Sequence, residues 1–143
     1  MTVDDPYDLE RFVRAQDLAA TYAGAVGELR RGLKTGHWMW FVFPQIAGLG
    51  HSATSRYYAI SSLEEARAYL AHPILGPRLV ECSAILVAGE VTGASEVFGE
   101  LDAQKLHSSM TLFSRAAPDE PVFRQVLDRY FAGLADPATE ARL

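Results

Sequence analysis

Leu9-Glu10-Arg11-Phe12-Val13-Arg14-Ala15-Gln16-Asp17-Leu18-Ala19-Ala20-Thr21-Tyr22-Ala23-Gly24-Ala25-Val26-Gly27-Glu28-Leu29 decides the fold class. Its apolar positions Leu9, Phe12, Val13, Ala19, Tyr22, Ala23, Val26 and Leu29 fall three or four apart. That spacing draws one stripe along a helix, or along two helices joined near Gln16–Asp17. Asp8 reads as the cap of the first helix and Asp17 as the cap of the second. Gly32 and Gly36 end the pattern.

The same period recurs downstream. Ser62 with Glu65 reads as a capping box opening a helix that runs to about Ala71. His72-Pro73 closes it, because the residue before proline avoids the α region and reads here as a cap or loop position. A further helix spans about Pro77 to Ala88, with Leu79, Cys82, Ile85 and Leu86 facing inward, and Gly89 and Gly93 break it. Residues 94–99 form a short turn or helix, 102–114 another helix, and Pro121 to Phe131 an amphipathic closing helix. After Pro137 the chain is frayed or makes a single turn. Tyr57 to Ile60 is the one candidate strand, and it is short. The expectation is an all-α fold: a single compact multihelical domain of about six to eight helices over residues 1–143.

At 143 residues the chain can bury about two-thirds of its surface, enough for a core without staples. Hydrophobic residues are 49% and charged residues 22%, which excludes disordered and collagen-like classes. A formal charge of −5 carries no general footprint for nucleic acid or an anionic membrane, so neither is expected as a partner. Cys82 is alone, which excludes an intramolecular disulfide and a cysteine-based metal site. Met1 through Glu10 has four acidic residues and no apolar stretch, unlike a signal peptide, and a cytoplasmic setting is expected.

Three segments concentrate chemistry-bearing side chains. Lys34-Thr35-Gly36-His37-Trp38-Met39-Trp40-Phe41-Val42-Phe43-Pro44-Gln45 holds both tryptophans, two apart. On a helix that spacing sends them to different faces, so one can enter the core while the other covers a pocket wall; both as plain core is the simpler reading. Gly48-Leu49-Gly50-His51-Ser52-Ala53-Thr54-Ser55-Arg56-Tyr57-Tyr58 combines glycines with hydroxyls and an arginine, groups that suit a phosphate or sugar. It lacks the Gly-Lys-[Ser/Thr] element of a phosphate loop, and a surface loop whose hydroxyls cap a helix fits equally. Asp102-Ala103-Gln104-Lys105-Leu106-His107-Ser108-Ser109-Met110-Thr111 places Lys105, Ser108 and Ser109 on one helix face beside an apolar stripe. An Asp102–Lys105 surface pair with serines bonded back to the helix is the ordinary alternative.

The chain uses eleven Arg and only two Lys, and both lysines lie in these segments. A retained lysine suits a position where a compact ammonium is needed and a guanidinium does not fit. Familiar catalytic patterns are missing. His37, His51, His72 and His107 lack zinc spacing, and no Gly-x-Ser-x-Gly elbow occurs. Cys82, amid leucines, reads as a buried structural thiol, and Glu81 as an ion-pair partner of Arg78. No cofactor or metal is expected.

Asp5-Pro6-Tyr7-Asp8-Leu9-Glu10-Arg11-Phe12, His37 to Gln45, Leu70 to Leu79 and Lys105 to Phe113 resemble the family known as domain of unknown function 1810. The resemblance spans nearly the whole chain and implies one compact multihelical domain. It implies no activity. The calpastatin label attached to some members does not suit this chain, since calpastatin segments are disordered and polar. A weaker likeness, to a small helical family associated with NAD and ADP-ribose metabolism, rests on tryptophan, lysine and hydroxyl residues around a nucleotide-sugar pocket and transfers no residue role.

The functional expectation is an interhelical pocket for an anionic nucleotide- or ADP-ribose-like ligand. Its binding residues are Lys34, Trp38, Trp40, Gln45, Ser55, Arg56, Tyr57, Lys105, Ser108 and Ser109. If the ligand is hydrolysed, His37 is the candidate for proton transfer. The alternative is a protein-interaction or homo-oligomerisation module with no small ligand. Convergence of the lysines, serines and tryptophans in one concave site separates the two.

Overall fold

A computed structural model describes residues 4–91 and 93–143. Helix α1 (Glu10–Asp17) passes through a 3-10 turn (Leu18–Ala20) into α2 (Thr21–Arg31). Single-turn helices α3 (Met39–Val42) and α4 (Ala53–Tyr57) follow, then α5 (Leu63–Ala71), α6 (Leu75–Ala88), α7 (Ala94–Ala116), α8 (Pro121–Phe131) and the short α9 (Pro137–Glu140). Among the described residues the only β pairing is an isolated bridge between Ile46 and Ile60, so the fold is all-α. The first three residues of the acidic N-terminal stretch lie outside the described residues.

Helix α7 is the spine. It packs against α8, α5, α9 and α3, while α6 packs against α8, α5 and α2, and α1 against α2 and α3. Its inner residues Leu106, Met110 and Phe113 are fully buried, with Phe113 against Tyr69 of α5 and Phe123 of α8. Among the described residues no single helix is long and apolar enough to cross a membrane.

Both expected N-caps at the start of the chain are corrected. Asp8 itself turns into the left-handed region (φ 51°), and Asp5 folds back instead, its carboxylate accepting from Leu9 N at 2.8 Å and Glu10 N at 3.0 Å. Asp17 does not cap α2, because Ala19 and Ala20 both take left-handed φ and separate it from the helix; its carboxylate pairs with Arg78 at 2.9 Å. Glu81, read as the Arg78 partner, accepts from the Tyr22 hydroxyl at 2.5 Å instead. Gly32 does end α2 in the left-handed conformation, and Ser62 does cap α5. His72 ends α5 and starts α6, its Nδ1 accepting from Ile74 N and Leu75 N. The helices read as 94–99 and 102–114 form one element bent at Gly99 (φ 76°). Tyr57 to Ile60 is no strand: Tyr57 closes α4, and only Ile60 pairs.

Two polar clusters fix the parts that matter for the site. Arg11, buried in α1, spreads its guanidinium over Tyr57 O (2.8 Å), Ala59 O (2.9 Å) and the Glu65 carboxylate (3.0 Å). One side chain thereby ties α4 and its exit loop to α1 and α5, with its own charge paired. Gln16 does the same for α3, donating to Phe41 O at 2.7 Å. The Ile46–Ile60 bridge, with Ile60 N bonded to Gln45 O at 2.8 Å, pins the backbone of Gln45 between them.

Candidate functional site

The segment after α2 is organised by one carboxylate. Glu28 accepts from Thr35 N at 2.6 Å, Gly36 N at 2.7 Å and Trp38 Nε1 at 3.1 Å. Burial pushes its pKa up, but these donors outweigh that and hold it below the ordinary carboxylate value. Trp38 is thereby drawn inward, 2% exposed against Phe43 and Phe98. Trp40, two residues on, faces the other way and forms a wall of a surface groove.

That groove has two adjoining lobes. The first, of about 180 Å³, lies between α3 and α4, with Trp40, Gln45, Gly50, Ser55, Arg56 and Tyr58 on its walls. The second, of about 610 Å³, lies between the 49–50 loop, α7 and the start of α9, with Gln45, Ser55, Lys105, His107, Ser108 and Asp136. Gln45, Gly50 and Ser55 line both lobes. Gly50 is required by close approach, since a Cβ there would lie 2.5 Å from the Ser55 side chain. Ser52 caps α4 by accepting from Ser55 N, as the simple loop reading expects, yet Ser55 also lines the groove. Burial, with Tyr57 beside it, raises the Tyr58 phenol above its ordinary pKa, so it stays neutral near neutral pH.

Six of the residues singled out in the sequence converge here: Trp40, Gln45, Ser55, Arg56, Lys105 and Ser108. The others do not. Lys34 is turned inward, its side chain 7% exposed and its ammonium 2.7 Å from Asp102 and 2.5 Å from Gly36 O. Trp38 is core, and Ser109 is fully buried on the inner side of α7. Tyr57, 52% exposed, stacks edge-on against Tyr58 without lining either lobe. His37 is exposed and lies outside both lobes, so the expected proton-transfer residue is not where the ligand groups are.

Asp102 joins the two lysines. Its carboxylate takes Lys34 on one oxygen and Lys105, at 3.1 Å, on the other. Burial pushes its pKa up, but hydrogen bonds from Lys34 and Lys105 and their charges hold it below the usual value. Each ammonium also sits over a tryptophan ring, Lys34 over Trp38 at 5.2 Å and Lys105 over Trp40 at 4.8 Å. Lys34 thus locks a loop onto α7, while Lys105 presents its charge to the second lobe.

Sequence reading missed several wall residues. Asp136 caps α9 through Thr139 N, and Thr139 is fully buried against Ser108, so of the two expected forms the C-terminal segment takes the single turn and not the frayed tail, and its start is a wall of the groove. His107 stacks flat on Phe131 and its Nε2 donates to Leu134 O at 2.7 Å. Arg142 reaches Gly48 O at 3.1 Å beside the first lobe. The Asp136-Pro137 pair was the available signal, an N-cap followed by a proline at the first helical position.

The family model for protein of unknown function DUF1810 matches residues 6–143. The chain belongs to that family. No curated protein matches it. Among solved structures, this DUF1810 chain is similar to the conserved hypothetical protein Rv1873 from Mycobacterium tuberculosis, determined at 1.38 Å, with 52% identity and a TM-score of 0.93. The match covers 97% of this chain and 98% of the other. The solved structure shares the fold of this chain, and the family assignment leaves the groove's ligand to be argued from its chemistry.

Proposed function

We propose that the groove binds a small anionic, nucleotide-like molecule, in the class of nucleotides and ADP-ribose. The observation that carries this reading is the charge pattern of the first lobe. Arg56 is the one charged residue on its walls, and among the described residues its guanidinium has no hydrogen bond or ion pair. In a chain of net charge −5, an unpaired guanidinium beside a glycine turn, a serine hydroxyl and two aromatic rings suits a phosphate group. The second lobe adds the Lys105 ammonium, and its volume is of the order that small-molecule sites occupy, about 300–1,000 Å³.

The rival reading, a docking module built on the aromatic segment, is less well supported. Trp38, Met39, Val42 and Phe43 are buried, so segment 37–45 offers little outward apolar surface. Hydrolysis is not part of the proposal. His37 lies away from the groove, and His107 and Asp136, the histidine and carboxylate on the walls of the second lobe, are both engaged in hydrogen bonds within the protein.

A thermal-shift series with AMP, ADP-ribose, NAD and inorganic phosphate tests the proposal. A ligand at ~100 times its Kd adds about 2.7 kcal/mol, several degrees of Tm for a domain of this size. The shift is expected to fall sharply in Arg56→Ala. Equal shifts in both proteins, or none with any anion, would contradict it.

A further inference from the structure

The hydrogen bonds beneath the junction of the two lobes run in one direction only. An ionised carboxylate accepts and cannot donate, and Thr139 Oγ1 lies 2.6 Å from Asp136 Oδ2. The single Thr139 hydroxyl proton therefore goes to Asp136. Thr139 Oγ1 is left as an acceptor, so the proton of Ser108 Oγ, 3.3 Å away, points to it. Ser108 in turn can only accept from Gln45, whose Nε2 stands at 3.0 Å. Asp136 is itself held, its backbone N–H bonded to Thr111 Oγ1 at 2.9 Å.

The chain fixes which end of the Gln45 amide faces the ligand. One N–H of its amide is committed to the floor, while the second N–H and Oε1 have no protein partner among the described residues, on a side chain that lines both lobes. The junction thus presents an unpaired acceptor, Gln45 Oε1, beside the Ser55 hydroxyl and next to the Arg56 lobe. A fully ionised phosphate group has only acceptors to set against that oxygen, and acceptor faces acceptor. A sugar hydroxyl supplies the missing donor.

Resting on the proposed anion site, we infer that the ligand is a ribose phosphate, its phosphate held in the Arg56 lobe and a ribose hydroxyl donating to Gln45 Oε1. The hydroxyl is read at the position where the lobes meet, and the remainder of the molecule extends along α7. Selectivity between phosphate esters then resides in Gln45 and its buried Ser108–Thr139–Asp136 support, while affinity for the anion resides in Arg56.

Calorimetric titration of ribose 5-phosphate against methyl phosphate tests this. Ribose 5-phosphate is expected to bind about tenfold more tightly, the worth of one well-placed hydrogen bond. Gln45→Met is expected to abolish that ratio while leaving methyl phosphate affinity within about twofold. Thr139→Val, which frees the Ser108 proton and lets the Gln45 amide turn, is expected to reduce the ratio with Gln45 intact; unliganded melts check that each variant folds. Equal binding of the two esters, each dependent on Arg56, would overturn the ribose inference and leave the anion site standing. A ratio that survives Gln45→Met would overturn it as well. Absence of binding by ribose 5-phosphate, methyl phosphate and ADP-ribose would overturn both readings.

Discussion

Lys34→Ala should destabilise the protein well beyond Lys105→Ala, although both ammonium groups sit on the same Asp102 carboxylate. Lys34 is 7% exposed and loses three things at once: the 2.7 Å ion pair, the bond to Gly36 O and the contact over the Trp38 ring. Breaking a buried pair costs about 3–5 kcal/mol, and the figure falls here to about 2–3 because Lys105 stays to neutralise Asp102. Lys105, 23% exposed, loses an i,i+3 pair worth about 0.5 kcal/mol and a half-open cation–π contact worth about as much. For a domain of this length the two variants should melt about 8 °C and about 3 °C below the parent. Thermal unfolding at neutral pH, followed by tryptophan fluorescence and by circular dichroism, measures both. Equal losses, or a larger one for Lys105→Ala, would refute the division of roles between a structural and a groove-facing lysine.

Other consequences follow from single contacts. Gly76→Ala should cost about 3 kcal/mol or more or prevent folding, because a Cβ at Gly76 would overlap the Leu70 carbonyl oxygen, backbone that cannot swing away; a urea midpoint near that of the parent would be the contrary result. Cys82 should be inert to thiol reagents at pH 8 until the protein unfolds, since burial pushes its thiol up to about 12, and labelling of the native protein at the unfolded rate would contradict the packing. Glu28 and Asp102 both have carboxyls held below their ordinary values, so the stability they contribute is present above about pH 4–5 and is lost as pH falls through their folded-state values. Urea midpoints should hold from pH 7 to pH 5 and drop below pH 4, with a shallower drop in Asp102→Asn.

The helices were legible in the sequence because their signals are local. Pro121 to Phe131 was read to the residue, and the 3.6-residue stripe, the Ser62–Glu65 pair and the left-handed glycine at Gly32 each act within a turn or two. Caps that depend on a fold-back were not: nothing local says that Asp5, not Asp8, reaches the first amides of α1. The spacing of Trp38 and Trp40 offered opposite facing beside the simpler reading of both as core, and did not say which ring enters the core. Which lysine faces solvent was not, since Lys34 and Lys105 are separated by 71 residues of chain and meet only through Asp102. Thr139 and Asp136 were passed over for the same reason, because a four-residue terminal helix gains its meaning only when α7 lies beneath it.

The central claim is that the groove holds a phosphate-bearing ligand on Arg56. Calorimetric titration of ADP-ribose into the wild-type protein and into Arg56→Ala, at low and at physiological salt, tests it most directly. The account predicts saturable one-site binding that weakens with salt and loses at least about tenfold in the variant. No heat of binding with the wild type, or equal affinity in Arg56→Ala, would contradict it.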